Sequence, residues 1–105
     1  MRPGATLGRA WAAGRLIEFR ILGPLEVRSQ DRFLRLGGAK QRTLLAVLLL
    51  RANEVVAGER LIDELWGARP PATAGKLVQG YVSALRKVLA GASLVTQPPG
   101  YVLNL

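Results

Sequence analysis

The N-terminal third of the chain alternates between apolar and charged positions. Residues 17–22 alternate in this way, residues 25–28 repeat the alternation, and residues 33–36 form a third short run. A period of two places the apolar side chains on one face of a strand, and short links between such runs favour antiparallel pairing. We therefore expect an antiparallel sheet of three or four strands before the first helix.

Three helices are predicted next, each from its apolar spacing and its end signals. The first, over 39–52, is apolar nearly all round, which is typical of a central buried helix, and Asn53 suits the left-handed position after it. The second spans 58–66 and is terminated by Gly67, the residue that follows it. The third is predicted over 72–90.

The C-terminal residues have the pattern of a β-hairpin. Two short runs, 94–97 and 101–104, flank the Pro-Pro-Gly of residues 98–100. The whole order predicts an α+β fold of the winged helix-turn-helix type: an N-terminal antiparallel sheet, a three-helix core and a C-terminal β-hairpin wing. Residues 1–15 lack clear periodicity, so we expect a disordered leader there and one domain over 16–105.

The third helix has a polar face whose charges are all of one sign. At about 100° per residue, its polar and small residues fall within an arc of roughly 120°. The set contains no acid: Lys76, Gln79, Gly80, Ser83, Arg86 and Lys87. A helix fits the major groove of DNA, where Lys or Arg can read guanine and Gln can read adenine. All of these except Gly80 are therefore candidate DNA contacts, the alternative being an ordinary solvated face.

Two other regions supply candidate contacts. In the hairpin, Thr96 and Gln97 can hydrogen-bond phosphate and Tyr101 is amphipathic, which would suit a wing along the DNA backbone or minor groove. Polar residues near helix starts are candidates for phosphate contacts: Lys40, Arg42 and Thr73. The alternatives are a hairpin that only closes a sheet and a helix start whose charges only solubilise it.

The composition narrows the class of function. The 105 residues carry a net charge of +8, and all seven acids lie within residues 18–64. A basic domain attracts polyanions, of which nucleic acid is the first candidate and an anionic membrane the second. The alternative is a basic surface that keeps the domain in solution and has no partner. The absence of Cys and His excludes thiol nucleophiles, His-based triads and Cys/His metal sites, so we expect no enzyme, no metal and no cofactor. A cysteine-free chain also fits the cytoplasm, and the longest apolar run, 44–50, is too short to cross a membrane.

Five ordered stretches carry a resemblance to a known family: FRILGPLEVR, LRLGGAKQRTLLAVLLLRANEVV, RLIDELWGARPPATA, YVSALRKVLAG and LVTQPPGYVLNL. Over about residues 17–105 the chain resembles the N-terminal, OmpR-type winged helix domain of the Streptomyces antibiotic regulatory proteins. The resemblance implies a transcriptional regulator, usually an activator, that binds double-stranded DNA repeats as side-by-side protomers and recruits RNA polymerase. It implies that the third helix is the recognition helix, that residues 96–101 form the wing, and that Arg69 and Pro70 belong to a polymerase-side loop.

The chain departs from this family at several positions. A basic residue is usual at the positions of Ala84 and Gln97, and a basic or polar one is common at Gly75. Most members continue into a helical activation domain, whereas this sequence ends with the wing, and we expect no activation domain. The alternative functions are a protein-interaction or dimerisation module, or a truncated regulator that binds DNA weakly.

Overall fold

The computed structural model describes residues 5–12, 15–21, 25–29, 32–89 and 93–105. Within these ranges seven strands and three helices follow one another in chain order: β1 (Ala5–Ala12), β2 (Arg15–Ile21), β3 (Leu25–Ser29), β4 (Arg32–Phe33), α1 (Ala39–Leu50), β5 (Val56–Ala57), α2 (Gly58–Trp66), α3 (Ala74–Val88), β6 (Leu94–Gln97) and β7 (Gly100–Leu103). The predicted α+β architecture is confirmed. The third helix, predicted to reach Ala90, ends at Val88 instead, and Ala90 itself lies outside the described residues.

The N-terminal sheet is an antiparallel meander in the order β1-β2-β3-β4. Phe19 in β2 lies opposite Val27 in β3, and both side chains are fully buried, so the predicted alternation does place an apolar face on the core. The predicted third strand over 33–36 is shifted, because the ladder comprises only Arg32–Phe33. Leu36 still points into the core without being part of the ladder.

The expectation of a disordered leader over residues 1–15 is wrong for Ala5–Ala12, which form β1 along the outer edge of β2. Strand addition is driven by backbone hydrogen bonds to an edge that would otherwise be unpaired. The Gly and Ala residues of β1 give little hydrophobic contrast, so no period was visible in the sequence. The expectation is also wrong for Arg15, the first residue of β2, whereas residues 1–4 and 13–14 of the predicted leader lie outside the described residues.

The helices agree closely with the sequence prediction. α2 has the predicted bounds, α1 ends two residues earlier than predicted, and α3 begins two residues later. Asn53 is left-handed, with φ of 68°, as expected after α1. The expectation that α1 is buried nearly all round is wrong at its last residue, since the Leu50 side chain is 80% exposed.

The core lies where the three helices meet the hairpin. Its fully buried side chains include members of every helix and of both hairpin strands: Leu44, Leu45, Leu48, Leu61, Leu85, Leu89, Leu94 and Leu103. Val78 and Val82 complete the buried side of α3, as the helical period predicts. Leu77, expected on this side, lies at its margin and is 37% exposed.

A second sheet, in the order β5-β7-β6, contains the hairpin. Val56 pairs with Tyr101 and so adds a short third strand, β5, to the hairpin. Gly100 is required there, because a Cβ would overlap the carbonyl oxygen of Val56. Asn53 anchors the other end: its N–H donates to the carbonyl of Leu103, and its Oδ1 accepts from the N–H of Leu105.

Candidate nucleic-acid interface

The predicted polar face of α3 is on the surface. Lys76, Gln79, Gly80, Ser83 and Lys87 are all exposed, while the opposite side of the helix is fixed by the core. Because every acidic residue of the sequence precedes residue 65, no carboxylate from α3 or the hairpin opposes these cations. The face is therefore accessible and of one sign, and its contacts with DNA stay a prediction.

Arg86 differs from the other members of this face because it is half-buried and bonded within the chain. Its Nε donates to the carbonyl oxygen of Leu94 at 2.9 Å, and an Nη donates to the hydroxyl of Thr96. The sequence placed Arg86 and Thr96 separately, as two DNA contacts. No sequence pattern predicts the hydrogen bond between them, because they are ten residues apart and belong to different elements.

The hairpin brings further predicted residues beside α3. Thr96 and Gln97 are exposed, whereas Tyr101 is half-buried and packs against the core. An open groove of about 300 Å³ runs between the start of α2, the first half of α3 and the hairpin turn. Gln79, Thr96 and Tyr101 all line it, so residues predicted from two separate patterns share one surface.

Lys40, whose contact with phosphate stays a prediction, makes contacts within the chain at the end of α2. Its Nζ donates to the carbonyl oxygen of Leu65 and lies 5.5 Å from the centroid of the Trp66 ring. Trp66 in turn stacks on Tyr81 of α3, with ring centroids 6.4 Å apart and planes inclined by 24°. Trp66 is partly buried and packs against the core.

The remaining candidates lie elsewhere on the surface. Arg42 is half-buried near the start of α1. Thr73 is exposed just before α3, and its side chain makes no capping hydrogen bond. Arg69 and Pro70 are exposed in the loop that follows α2, where Gly67 takes a positive φ of 62°. The roles suggested for all four stay predictions.

Three helices whose last member exposes a basic face beside a β-hairpin define the winged-helix class of domains. The family model described as "Transcriptional regulatory protein, C terminal" matches residues 34–103, and the chain belongs to this family. The match begins just before α1 and ends with β7, so it contains the helices and the wing. In the described part of the chain, no helix has the length and apolar character needed to cross a bilayer.

Curated relatives of the chain are regulatory proteins. It is 43% identical over 93 residues to the transcriptional regulatory protein MoaR1 of Mycobacterium tuberculosis, covering 83% of this chain and 30% of that protein. It is 41% identical over 88 residues to the regulatory protein AfsR of Streptomyces coelicolor, covering 84% of this chain and 9% of that protein. These relatives confirm the resemblance to the Streptomyces antibiotic regulatory proteins.

A solved structure supports the same fold. The structure of Mycobacterium tuberculosis EmbR in complex with a low-affinity phosphopeptide has a TM-score of 0.82 and 37% sequence identity, covering 87% of this chain and 26% of that one. The chain thus spans about a third or less of the length of each of these relatives.

Proposed function

We propose that this domain binds double-stranded DNA sequence-specifically and so regulates transcription, with α3 in the major groove and the hairpin against the adjoining backbone. The observation that carries the proposal is the exposed face of α3, which holds cations, an amide and a hydroxyl without any acid, directly beside the wing. A typical surface helix mixes charges of both signs, whereas the DNA backbone favours positive charge alone. Membership of the regulatory-protein family supports the same function.

Each residue of this face has a role that follows from its chemistry. Gln79 can form a bidentate pair with adenine, and Ser83 can bond to either type of base edge. Lys76 and Lys87 neutralise phosphates or reach guanine. Gly80, which has no side chain, allows the helix backbone to approach the base edges closely.

The wing supplies contacts that position the domain on DNA. Thr96 and Gln97 are exposed on the hairpin, and hydroxyl and amide groups of this kind hydrogen-bond phosphate oxygens. Such contacts fix register and orientation but carry little sequence information. Base discrimination is therefore assigned to α3.

The resemblance extends the proposal to assembly and partners. Two copies would bind side by side on a direct repeat, and the loop containing Arg69 and Pro70 would face RNA polymerase. The exposure of that loop is compatible with such a contact. The domain would act in the cytoplasm, on the nucleoid.

The test is in-vitro selection of DNA from a random duplex pool with this chain, followed by titration of the selected and a shuffled duplex over a salt series. We expect the selected duplex to bind about 1,000-fold more tightly or better. For both, log K should fall with log salt by about 0.9 per neutralised phosphate. Equal affinity for the two duplexes, or no binding, would contradict the proposal. Binding to a protein partner without DNA would then favour an interaction module.

A further inference from the structure

We propose that Arg86 is a positioning residue: it fixes the wing to the recognition helix through the Thr96 hydroxyl and the Leu94 carbonyl, and does not itself read a base. The inference rests on the proposed function for its effect on DNA affinity. The link between helix and wing is a property of the free chain and can be tested without DNA.

The wing strand that Arg86 holds is secured on one side only. Among the described strands, β6 lies at the edge of the β5-β7-β6 sheet and pairs with β7 alone. Its root is fixed because the side chains of Leu94 and its partner Leu103 are buried, but Thr96 and Gln97, further out, are exposed. Without another contact, the strand beyond its root depends on the hairpin's own ladder.

Arg86 adds this contact from a rigid base. Its neighbour Leu85 and the helix-end residue Leu89 are fully buried, so the end of α3 that carries Arg86 is held by the core. The guanidinium bonds both to Leu94, at the root, and to Thr96, two residues nearer the tip. A planar guanidinium with several fixed donors can hold two acceptors at once, which a single ammonium group does poorly.

As a consequence, the wing is ordered in the free protein, before it binds DNA. A segment that must be ordered on binding costs conformational entropy and lowers affinity, and prior fixation avoids that cost. Since two of its donors are used within the chain, Arg86 contributes mainly by setting the distance and angle between α3 and the phosphate-binding residues of the wing.

The experiment compares Arg86→Lys, Thr96→Val and the double variant, each titrated with the selected duplex over a salt series. Arg86→Lys keeps the positive charge and Thr96→Val keeps the side-chain shape, but each removes the hydrogen bond between helix and wing. We expect each variant to bind about 10-fold more weakly. The salt slope of Arg86→Lys should be unchanged, because its charge is unchanged. The loss of affinity in the double variant should be smaller than the product of the two single losses, because both changes break the bond between Arg86 and Thr96. Thr96→Ser, which retains the hydroxyl, should restore most of the affinity.

Lys87→Met is the matched control for a cation that contacts phosphate directly, and it should lower the salt slope by about 0.9. Wild-type affinity in Arg86→Lys, or losses in the double variant that multiply, would overturn the positioning role.

Hydrogen exchange of the free protein gives a second readout. Amides of residues 95–97 should exchange faster in Arg86→Lys and Thr96→Val than in the wild type, while amides in the middle of α1 stay protected. Unchanged exchange at 95–97 would overturn the inference. If the wild-type chain binds no DNA, the proposed function fails, and this measurement still decides whether Arg86 holds the wing.

Discussion

The ammonium of Lys40 lies 5.5 Å from the centroid of the Trp66 ring and donates to the carbonyl of Leu65. The contact places a cation at the C-terminal end of α2, where the helix carbonyls carry partial negative charge. Trp66 also stacks on Tyr81. These contacts join three parts of the fold: the start of α1, the end of α2 and the middle of α3. Lys40 therefore has a structural use that is independent of DNA.

Lys40→Met should lower the free energy of unfolding by about 1–2 kcal/mol, combining a cation–π contact with a hydrogen bond to the helix end. Urea denaturation measures this change. The salt dependence of DNA binding should stay as in the wild type, because no phosphate contact is removed.

Lys76→Met is the matched control for Lys40→Met. Lys76 is exposed on the polar face of α3, so its replacement should change stability by less than about 0.5 kcal/mol and reduce the salt slope by about 0.9. A Lys40→Met protein of wild-type stability with a shallower salt slope would show that Lys40 contacts phosphate, as the sequence suggested.

Gly80→Ala should change stability and DNA affinity in opposite directions. Apart from the backbone of its own helix and its chain neighbours, a Cβ at this position would meet no described atom within 4 Å. Alanine in a helix interior is favoured over glycine by about 1 kcal/mol. Thermal or urea unfolding should therefore show a more stable domain. Affinity for the selected duplex should fall, since the added methyl group lies between helix and groove. Unchanged affinity would mean that this part of α3 does not approach DNA closely.

Gly100→Ala should destabilise the domain by about 1–3 kcal/mol, because the new methyl group would overlap the backbone of β5 and must displace it. The same substitution at Gly80 serves as the control, with the opposite sign expected. Loss of the Val56–Tyr101 pairing should appear as faster exchange of the amides in β5 and β7. Wild-type stability in Gly100→Ala would mean that the close approach of these strands is absent.

Gln79→Ala should weaken specific binding by about 1–3 kcal/mol and relax discrimination at one base pair. Titration of a set of duplexes, each changed at one position of the selected site, would locate that pair. Lys87→Met is the comparison, with a loss spread evenly over all duplexes. If Gln79→Ala lost the same affinity for all duplexes, Gln79 would contact the DNA backbone and not a base.

The elements and the exposed face of α3 could be predicted because each depends on a period within one segment. The apolar positions of α3 determine which side is buried, and the C-terminal end of α2 is marked by Gly67 and the prolines after it. Tertiary contacts do not override these local signals.

The missed features all depend on contacts between segments. β1 pairs along an edge supplied by β2, and Val56 becomes a strand only because Tyr101 lies beside it. Likewise, the partners of Arg86 are known only once α3 and β6 are packed together. Charge and periodicity indicate which cations are available, and tertiary packing decides which of them are already engaged.

Recognition of DNA by α3 is tested most directly by NMR mapping of the amide shifts of the ¹⁵N-labelled chain on addition of the selected duplex, with the shuffled duplex as the comparison. The largest changes should fall at residues 76–87 of α3 and at residues 96, 97, 100 and 101 of the wing, and they should be much weaker with the shuffled duplex. Residues 50–54, at the end of α1, should change little with either. Changes centred on residues 50–54, or identical maps for the two duplexes, would contradict recognition by α3.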